Sequence, residues 1–156
     1  MIQIDIPGFG TLGLHHLVMD FNGTLARDGL LIEGVAQRLM QLRESLQLHV
    51  ITADTFGAVA EQLAALPCSL HILPDRDQEE AKRDYVVALG AKRVVSIGNG
   101  RNDRLMLRES LLGIAVILNE GVFSGALTSA EVICTSILDA LDLLLNPLRL
   151  TATLRS

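Results

Sequence analysis

Apolar residues recur along this chain with two periods, and the switches between them mark out its elements. Residues 2–6 alternate apolar and polar, Pro7-Gly8-Phe9-Gly10 turns the chain, and residues 11–14 return. An N-terminal hairpin is therefore predicted within residues 1–15. The apolar run 16–21 reads as a buried strand that ends at an Asn-Gly turn. Residues 33–46 carry Val35, Leu39, Leu42 and Leu46 at helical spacing. A strand follows at 48–52, then a helix at 55–66 with Asp54 or Thr55 as its cap and Pro67 beyond its end. The alternation continues with a short strand at 70–73, a helix at 78–89 closed by Gly90, and a strand at 93–97. It ends with a helix at 102–109, a strand at 113–118, a short helix at 124–129, a strand at 131–135 and a helix at 136–145. Pro147 breaks that last helix. Near-continuous apolar strands separated by amphipathic helices imply a parallel sheet covered on both faces, a three-layer α/β architecture. The expectation is a single domain over residues 1–156, with a tail at 146–156 that either docks on the body or mediates self-association.

Composition narrows the class. Hydrophobic residues make up 49% of the 156 and aromatics only 3%, so the core must be aliphatic. No apolar run approaches the roughly 18 residues of a membrane span. The start, Met1-Ile2-Gln3-Ile4-Asp5, lacks the signal-peptide pattern, and a cytoplasmic protein is expected. Cys68 and Cys134 stand far apart in apolar settings and read as buried free thiols. The net charge of −5, without a basic stripe, argues against a nucleic-acid partner.

Four successive segments carry polar residues that a parallel sheet would gather at one edge, the edge where such sheets bind ligands. The first offers Asp20, Asn22 and Thr24, the second Thr52, the third Lys82, and the fourth Gly98-Asn99-Gly100-Arg101-Asn102-Asp103. A carboxylate to attack, a hydroxyl and a cation to hold phosphate oxygens, and a distal carboxylate for a metal make a phosphoryl-transfer set. Each has a plainer alternative. Lys82 follows an acidic stretch and could be a solvated lysine, with Arg83 and Lys92 as rival cations. Thr52 could merely end a strand. Asp54 reads better as a helix cap than as a ligand. Arg101 fits substrate contact or solvent equally. His15, His16, His49 and His71 have no metal-like spacing.

With these residues in view, the chain resembles the haloacid dehalogenase (HAD) superfamily of phosphohydrolases over residues 16–145. The matching segments are Asp20-Phe21-Asn22-Gly23-Thr24-Leu25, Thr52-Ala53-Asp54, Lys82 and Gly98 to Asp103. The closest flavour resembles the phosphorylation domain of P-type ATPases in a soluble form. The resemblance implies a Rossmann-like fold and an Mg²⁺-dependent aspartyl-phosphate mechanism. It makes Asp20 the nucleophile and a metal ligand, with the Asn22 carbonyl, Asn99 and Asp103 completing the Mg²⁺ shell. It assigns phosphate binding to Thr52, Ala53, Lys82 and the backbone at Asn22 and Gly23, and gives Thr24 the orientation of the loop.

Two departures from that family matter. Its phosphatases usually carry Asp two residues after the nucleophile, where this chain has Asn22. An amide cannot serve as general acid or base, a role typically worth 10²–10⁴-fold, so hydrolysis should be slow. The first acid of the usual Gly-Asp-Gly-x-Asn-Asp loop is Asn99, which removes a negative charge from the metal site. The segments between Asp20, Thr52 and Lys82 leave no room for a cap domain, so the site should be open to large or small phosphorylated substrates. The leading expectation is a phosphohydrolase or phosphotransferase. The rival is a weak or inactive module that binds a phospho-ligand or partner. A third class, a soluble regulator of a P-type ATPase, rests on motif analogy alone. Self-association as a homo-oligomer through the hairpin or tail is an open alternative.

Overall fold

The aliphatic runs read as strands do form them, and their pairing sets the architecture. In the computed structural model of the chain, residues 1–53 and 58–156 are described. The expected start of the second helix and its cap, Asp54 or Thr55, lie outside the described residues.

The hairpin forms from β1 (Ile2–Ile6) and β2 (Gly10–Leu14). Then come β3 (His16–Met19), β4 (Ala26–Arg27), β5 (Leu30–Leu31), α1 (Val35–Leu42), β6 (Gln47–Thr52), α2 (Val59–Leu63), β7 (Cys68–Ile72) and α3 (Gln78–Leu89). The second half holds β8 (Val94–Gly98), α4 (Arg104–Glu109), β9 (Leu112–Val116), α5 (Ser124–Leu127), β10 (Val132–Cys134), α6 (Ile137–Leu145) and α7 (Pro147–Leu154). Six strands make one sheet in the order β10-β9-β8-β3-β6-β7, with every neighbouring pair parallel. The chain builds outward from β3 to β7 and then returns to the other side at β8. The crevice beyond the carboxyl ends of β3 and β8 is thus a topological switch point. Met19 stands level with Val50 and Ile97, so the loops after all three strands open onto the same edge.

Alternation along the strands divides the core in two. Leu17 and Met19 face one side with Val95 and Ile97, under Leu39 of α1 and Leu141 of α6. Val18 faces the other side with Ile51 and Val94, under Val86 of α3 and Met106 of α4. Arg38 of α1 makes a two-pronged bond to Asp142 of α6, at 2.7 and 2.9 Å, across the first layer. Ser136 caps α6 through its hydroxyl, which accepts from the Leu138 and Asp139 N–H groups.

The structure differs from expectation in several places. The helix expected over 33–46 is α1, ending at Leu42; turns carry the chain to Leu46, which stays buried while the backbone reverses into β6. The stretch between the Asn-Gly turn and the first helix, to which the periodicity assigns no element, contains the β4–β5 hairpin. Pro147 does not only break α6. It starts α7, where a missing N–H costs nothing and its fixed φ suits the first turn. Leu150 of α7 is fully buried, while Leu148 remains exposed. The two cysteines are free but half-buried rather than buried. No large insertion follows β3 or β6, and among the described residues no helix is long and apolar enough to cross a membrane.

Candidate active site

Asp20 follows β3 directly and lies across from β8, its N–H donating to the Ile97 carbonyl at 3.1 Å. The chain then doubles back. The Thr24, Leu25 and Ala26 N–H groups all converge on the Phe21 carbonyl, and the Gly23 N–H donates to the Ala26 carbonyl at 2.9 Å. Gly23, offered by the sequence as a phosphate donor, therefore spends its N–H inside the turn. Its φ of 78° suits glycine, and a Cβ there would come within 2.6 Å of Glu120 Oε2 and 2.7 Å of Asn99 Nδ2.

Lys82 is fully buried. It lies one helical turn from Val86, on the face of α3 that meets the sheet. Its ammonium donates to Asp20 Oδ1 and to Asp103 Oδ1, each at 2.6 Å. The solvated-lysine alternative is overturned, because the stem of Lys82 shares a buried helix face with Val86. Asp103 closes a 3₁₀ turn, Arg101–Asp103, after β8. Its second oxygen accepts from the Asn99 and Gly100 N–H groups at 2.9 and 2.8 Å. Position 98 must be glycine for this, since a Cβ would lie 2.5 Å from Asp103 Cγ. Asp103 is thus engaged on both oxygens and anchors Lys82 and the loop.

Two carboxylates and one ammonium in a buried cluster perturb one another. Burial raises the Asp20 carboxyl first and the Asp103 charge raises it further; Lys82 opposes both, and the result is about 7. Burial pulls on Lys82 in the opposite sense, but the two carboxylates outweigh it and hold the ammonium firmly protonated.

Above this cluster opens a cleft of about 490 Å³. Asp20, Asn22 and Asn99 line it, with Thr52 and Ala53 from the end of β6. The structure therefore brings the sequence-derived set together, with Lys82 and Asp103 packed beneath. Asn22 Oδ1 is shut off from solvent and has no hydrogen-bond partner among the described residues. Thr24 is fully buried and its hydroxyl donates to Asn99 Oδ1 at 3.3 Å. Arg101 is exposed and does not line the cleft.

Sequence reasoning missed part of the lining. Asp75 reaches the cleft from the stretch before α3, Gln78 from the first position of α3, and Asn102, quoted in the segment after β8 but given no role, donates to Gln78 at 2.9 Å. Glu120, in the loop after β9, carried no signal at all. No lysine or arginine lines the cleft among the described residues. Nor, among the described residues, do three histidine, cysteine or acidic side chains converge as a ready metal site. The oxygen donors that do line the cleft, the Asp20 carboxylate and the amides of Asn22 and Asn99, are hard ligands of the kind Mg²⁺ takes. The orphaned Asn22 oxygen is one such donor without a partner.

The chain matches no family model. Among solved structures it is similar to the cobalt-bound deoxy-D-mannose-octulosonate 8-phosphate phosphatase of Haemophilus influenzae. The TM-score is 0.72 at 13% identity, covering 92% of this chain and 94% of that one. The corresponding enzyme of Moraxella catarrhalis, solved with magnesium, phosphate and KDO, gives 0.70 at 20% identity over 85% and 86%. A phosphoserine phosphatase in its apo form gives 0.65 at 13% identity over 85% and 98%. These likenesses establish the HAD-like phosphohydrolase fold. In sequence, the uncharacterized protein MJ0073 of Methanocaldococcus jannaschii is 50% identical over 64 residues, which span 41% of this chain and 69% of that protein. MJ0072 of the same organism is 44% identical over 39 residues, spanning 25% and 89%. With that identity over most of each archaeal protein, this HAD-fold chain belongs to the family of MJ0073 and MJ0072.

Proposed function

We propose that the chain is an Mg²⁺-dependent phosphohydrolase or phosphotransferase working through an aspartyl-phosphate on Asp20. The observation that carries this reading is the buried Lys82 bridging Asp20 and Asp103 under a polar cleft at the switch point of the sheet. A lone carboxylate at a strand end is common. One held by a fully buried ammonium, with a second carboxylate holding that ammonium, is not needed for the fold.

In the first step an Asp20 oxygen attacks phosphorus, the bond to the leaving oxygen breaks, and that oxygen takes its proton from solvent. In the second, water attacks the same phosphorus, releasing inorganic phosphate and restoring the Asp20 carboxylate. Lys82 holds the nucleophile in place and offsets its charge, and Thr52 and the backbone near Ala53 hold phosphate oxygens. Asn22 donates a hydrogen bond but no proton, so substrates whose leaving oxygen needs no protonation react best. Asp20 and the oxygens of Asn22 and Asn99 would hold Mg²⁺, which would offset phosphate charge in a cleft with no lysine or arginine among its described lining residues. Asp103, the remaining ligand that the family resemblance implies, holds Lys82 with one oxygen and the Asn99 and Gly100 N–H groups with the other. The cleft volume suits a small phosphorylated metabolite, and the open mouth leaves room for a phosphorylated macromolecule.

A second reading has a specific observation in its favour. Asn22 and Asn99 stand where the resembled family carries acids, which suits a module that binds a phospho-ligand and turns it over weakly or not at all. The finer likeness to P-type ATPases, and a role in regulating one, rests on the segment Asp20 to Leu25 alone.

Turnover of an aryl phosphate with Mg²⁺ decides between the two. The wild type is expected to turn over slowly, Asp20→Ala to be inert, and Asn22→Asp to gain at least about tenfold, the low end of general acid–base help. An inert wild type beside an active Asn22→Asp moves the binding-module reading ahead.

A further inference from the structure

The loop after β9 brings to the cleft a carboxylate that the sequence pattern does not. Leu118 and Gly121 close a tight turn, with the Gly121 N–H on the Leu118 carbonyl at 2.9 Å, and Glu120 stands at its tip. Glu120 lines the same cleft as Asp20, Asn22 and Asn99. Its Oε2 and both polar atoms of the Asn99 amide lie within 3.0 Å of the point a Gly23 Cβ would occupy. The absent side chain of Gly23 thus leaves a cradle walled by one carboxylate and one amide.

Asn99 also holds that loop in place. Its Nδ2–H donates to the Gly121 carbonyl at 3.1 Å, and its own carbonyl accepts from the Phe123 N–H at 2.9 Å. An aspartate at position 99 has no N–H to give and would set its charge against the Gly121 carbonyl and the Glu120 carboxylate. Asparagine at 99 and glutamate at 120 are therefore consistent as a pair, and the negative charge missing from one is present on the other. Asn22 lines the same cleft, and its buried side-chain oxygen, an acceptor with no hydrogen-bond partner among the described residues, is a further oxygen donor for a cation.

We propose that Glu120 and Asp20 are the two carboxylates of a divalent-cation site in this cleft, Glu120 replacing the charge that Asn99 does not carry. This rests on the phosphohydrolase reading above and names the residue that makes its metal site workable. It also explains the absence of a cationic side chain from the cleft lining. Among the described residues the cleft lining carries three carboxylates, Asp20, Asp75 and Glu120, and no lysine or arginine, so a dication there meets an excess of negative charge.

The test is titration of the full chain with Mg²⁺ and with Mn²⁺, read by calorimetry and by the rise in melting temperature on adding metal. Glu120 is exposed, so Glu120→Gln is expected to fold and to melt as the wild type does without metal. It is expected to weaken metal binding by at least about tenfold, since loss of a charged ligand should cost no less than the low end of the 10–100-fold range for outer contacts. The double variant Asn99→Asp/Glu120→Gln returns the charge to position 99 and is expected to recover most of the affinity. Unchanged affinity in Glu120→Gln, with binding abolished in Asp20→Asn, overturns the assignment of Glu120 and leaves the phosphohydrolase reading standing. A weakened single variant with no recovery in the double overturns the exchange of charge between 99 and 120. A wild type that binds neither metal overturns both the site and the Mg²⁺-dependent reading.

Discussion

The two faces of the sheet are built on opposite principles. The face under α1 and α6 has an almost wholly aliphatic core: Leu17, Met19, Val95 and Ile97 meet Leu39, Leu141 and their neighbours, Phe21 is the aromatic member of that core, and the charges of the layer, Arg38 and Asp142, pair at its partly exposed margin. The face under α3 and α4 has only Val18, Ile51, Val86, Val94 and Met106 as its buried apolar set. Interleaved with these are Asp20, Lys82, Asp103, Ser96 and His49, all buried. Burial of aliphatic area at about 25 cal/mol per Å² stabilises the first face. On the second, each buried ion costs several kcal/mol of desolvation, recovered only through close pairing. The difference teaches that this fold draws its stability from one side of β3 and places its chemistry on the other, one residue further along the same strand.

The largest effect should come from splitting the buried ion cluster. Lys82→Met leaves two carboxylates facing each other without their cation, and a loss of about 3–5 kcal/mol is expected in urea unfolding. Adding Asp20→Asn and Asp103→Asn to that variant should recover most of the loss while leaving it inert. Stability that stays low in the triple variant would mean that Lys82 supports the fold by packing, and the contrast between faces would weaken.

On the aliphatic face, Leu141→Ala opens a cavity under α6 and should cost about 2–5 kcal/mol. Turnover per folded molecule should not change, since nothing in that layer touches the cleft. A changed rate at equal folded fraction, measured well below the melting transition, would show that the faces communicate.

The smallest effect is a titration. His49 lies on the polar face, where His16 Nδ1 is 3.2 Å from its Nε2 and the Tyr85 hydroxyl 2.9 Å from its Nδ1. Burial first, then the neighbouring His16 and His71, pull its pKa down from 6.5 to about 4. The folded chain therefore refuses a proton that the unfolded chain accepts. The stability due to neutral His49 is fully present above about pH 6.5 and is lost as pH falls toward 4, by on the order of 1–3 kcal/mol. Asp20, with its carboxyl raised to about 7, adds stability over the same fall in pH, so the His49 contribution is read as a difference: between pH 7 and pH 5, urea unfolding should change less favourably in the wild type than in His49→Gln. Equal changes in both would place the acid sensitivity elsewhere.

Legibility in the sequence followed the strength of the local signal. The run from His16 to Phe21 and the Asn-Gly after it could be read as strand and turn because alternation fails where a parallel strand is buried on both faces. The β4–β5 hairpin could not, since two residues per strand give no period to detect. Pro147 was visible as a break but not as the start of α7, because a proline at the first helical turn and a proline after a helix look alike until the next turn is seen to pack. Lys82 carried a usable hint in its spacing from Val86. Glu120 carried none: it is an exposed glutamate in an ordinary loop, and only the seating of that loop on Asn99 brings it to the cleft.

The sequence by itself determined the alternation of the sheet strands with the helices from α1 to α6, the aliphatic core and the strand-end residues Asp20, Thr52 and Asn99. Those follow from local periodicity and from residues close in the chain, which fix backbone geometry over a few positions. Only the tertiary structure decided that Lys82 reaches both Asp20 and Asp103, that Asp103 spends both oxygens holding its neighbours, and that Glu120 enters the cleft. Each of these depends on where β8 and β9 lie relative to β3. That register is set by the packing of whole layers, and no local pattern records it.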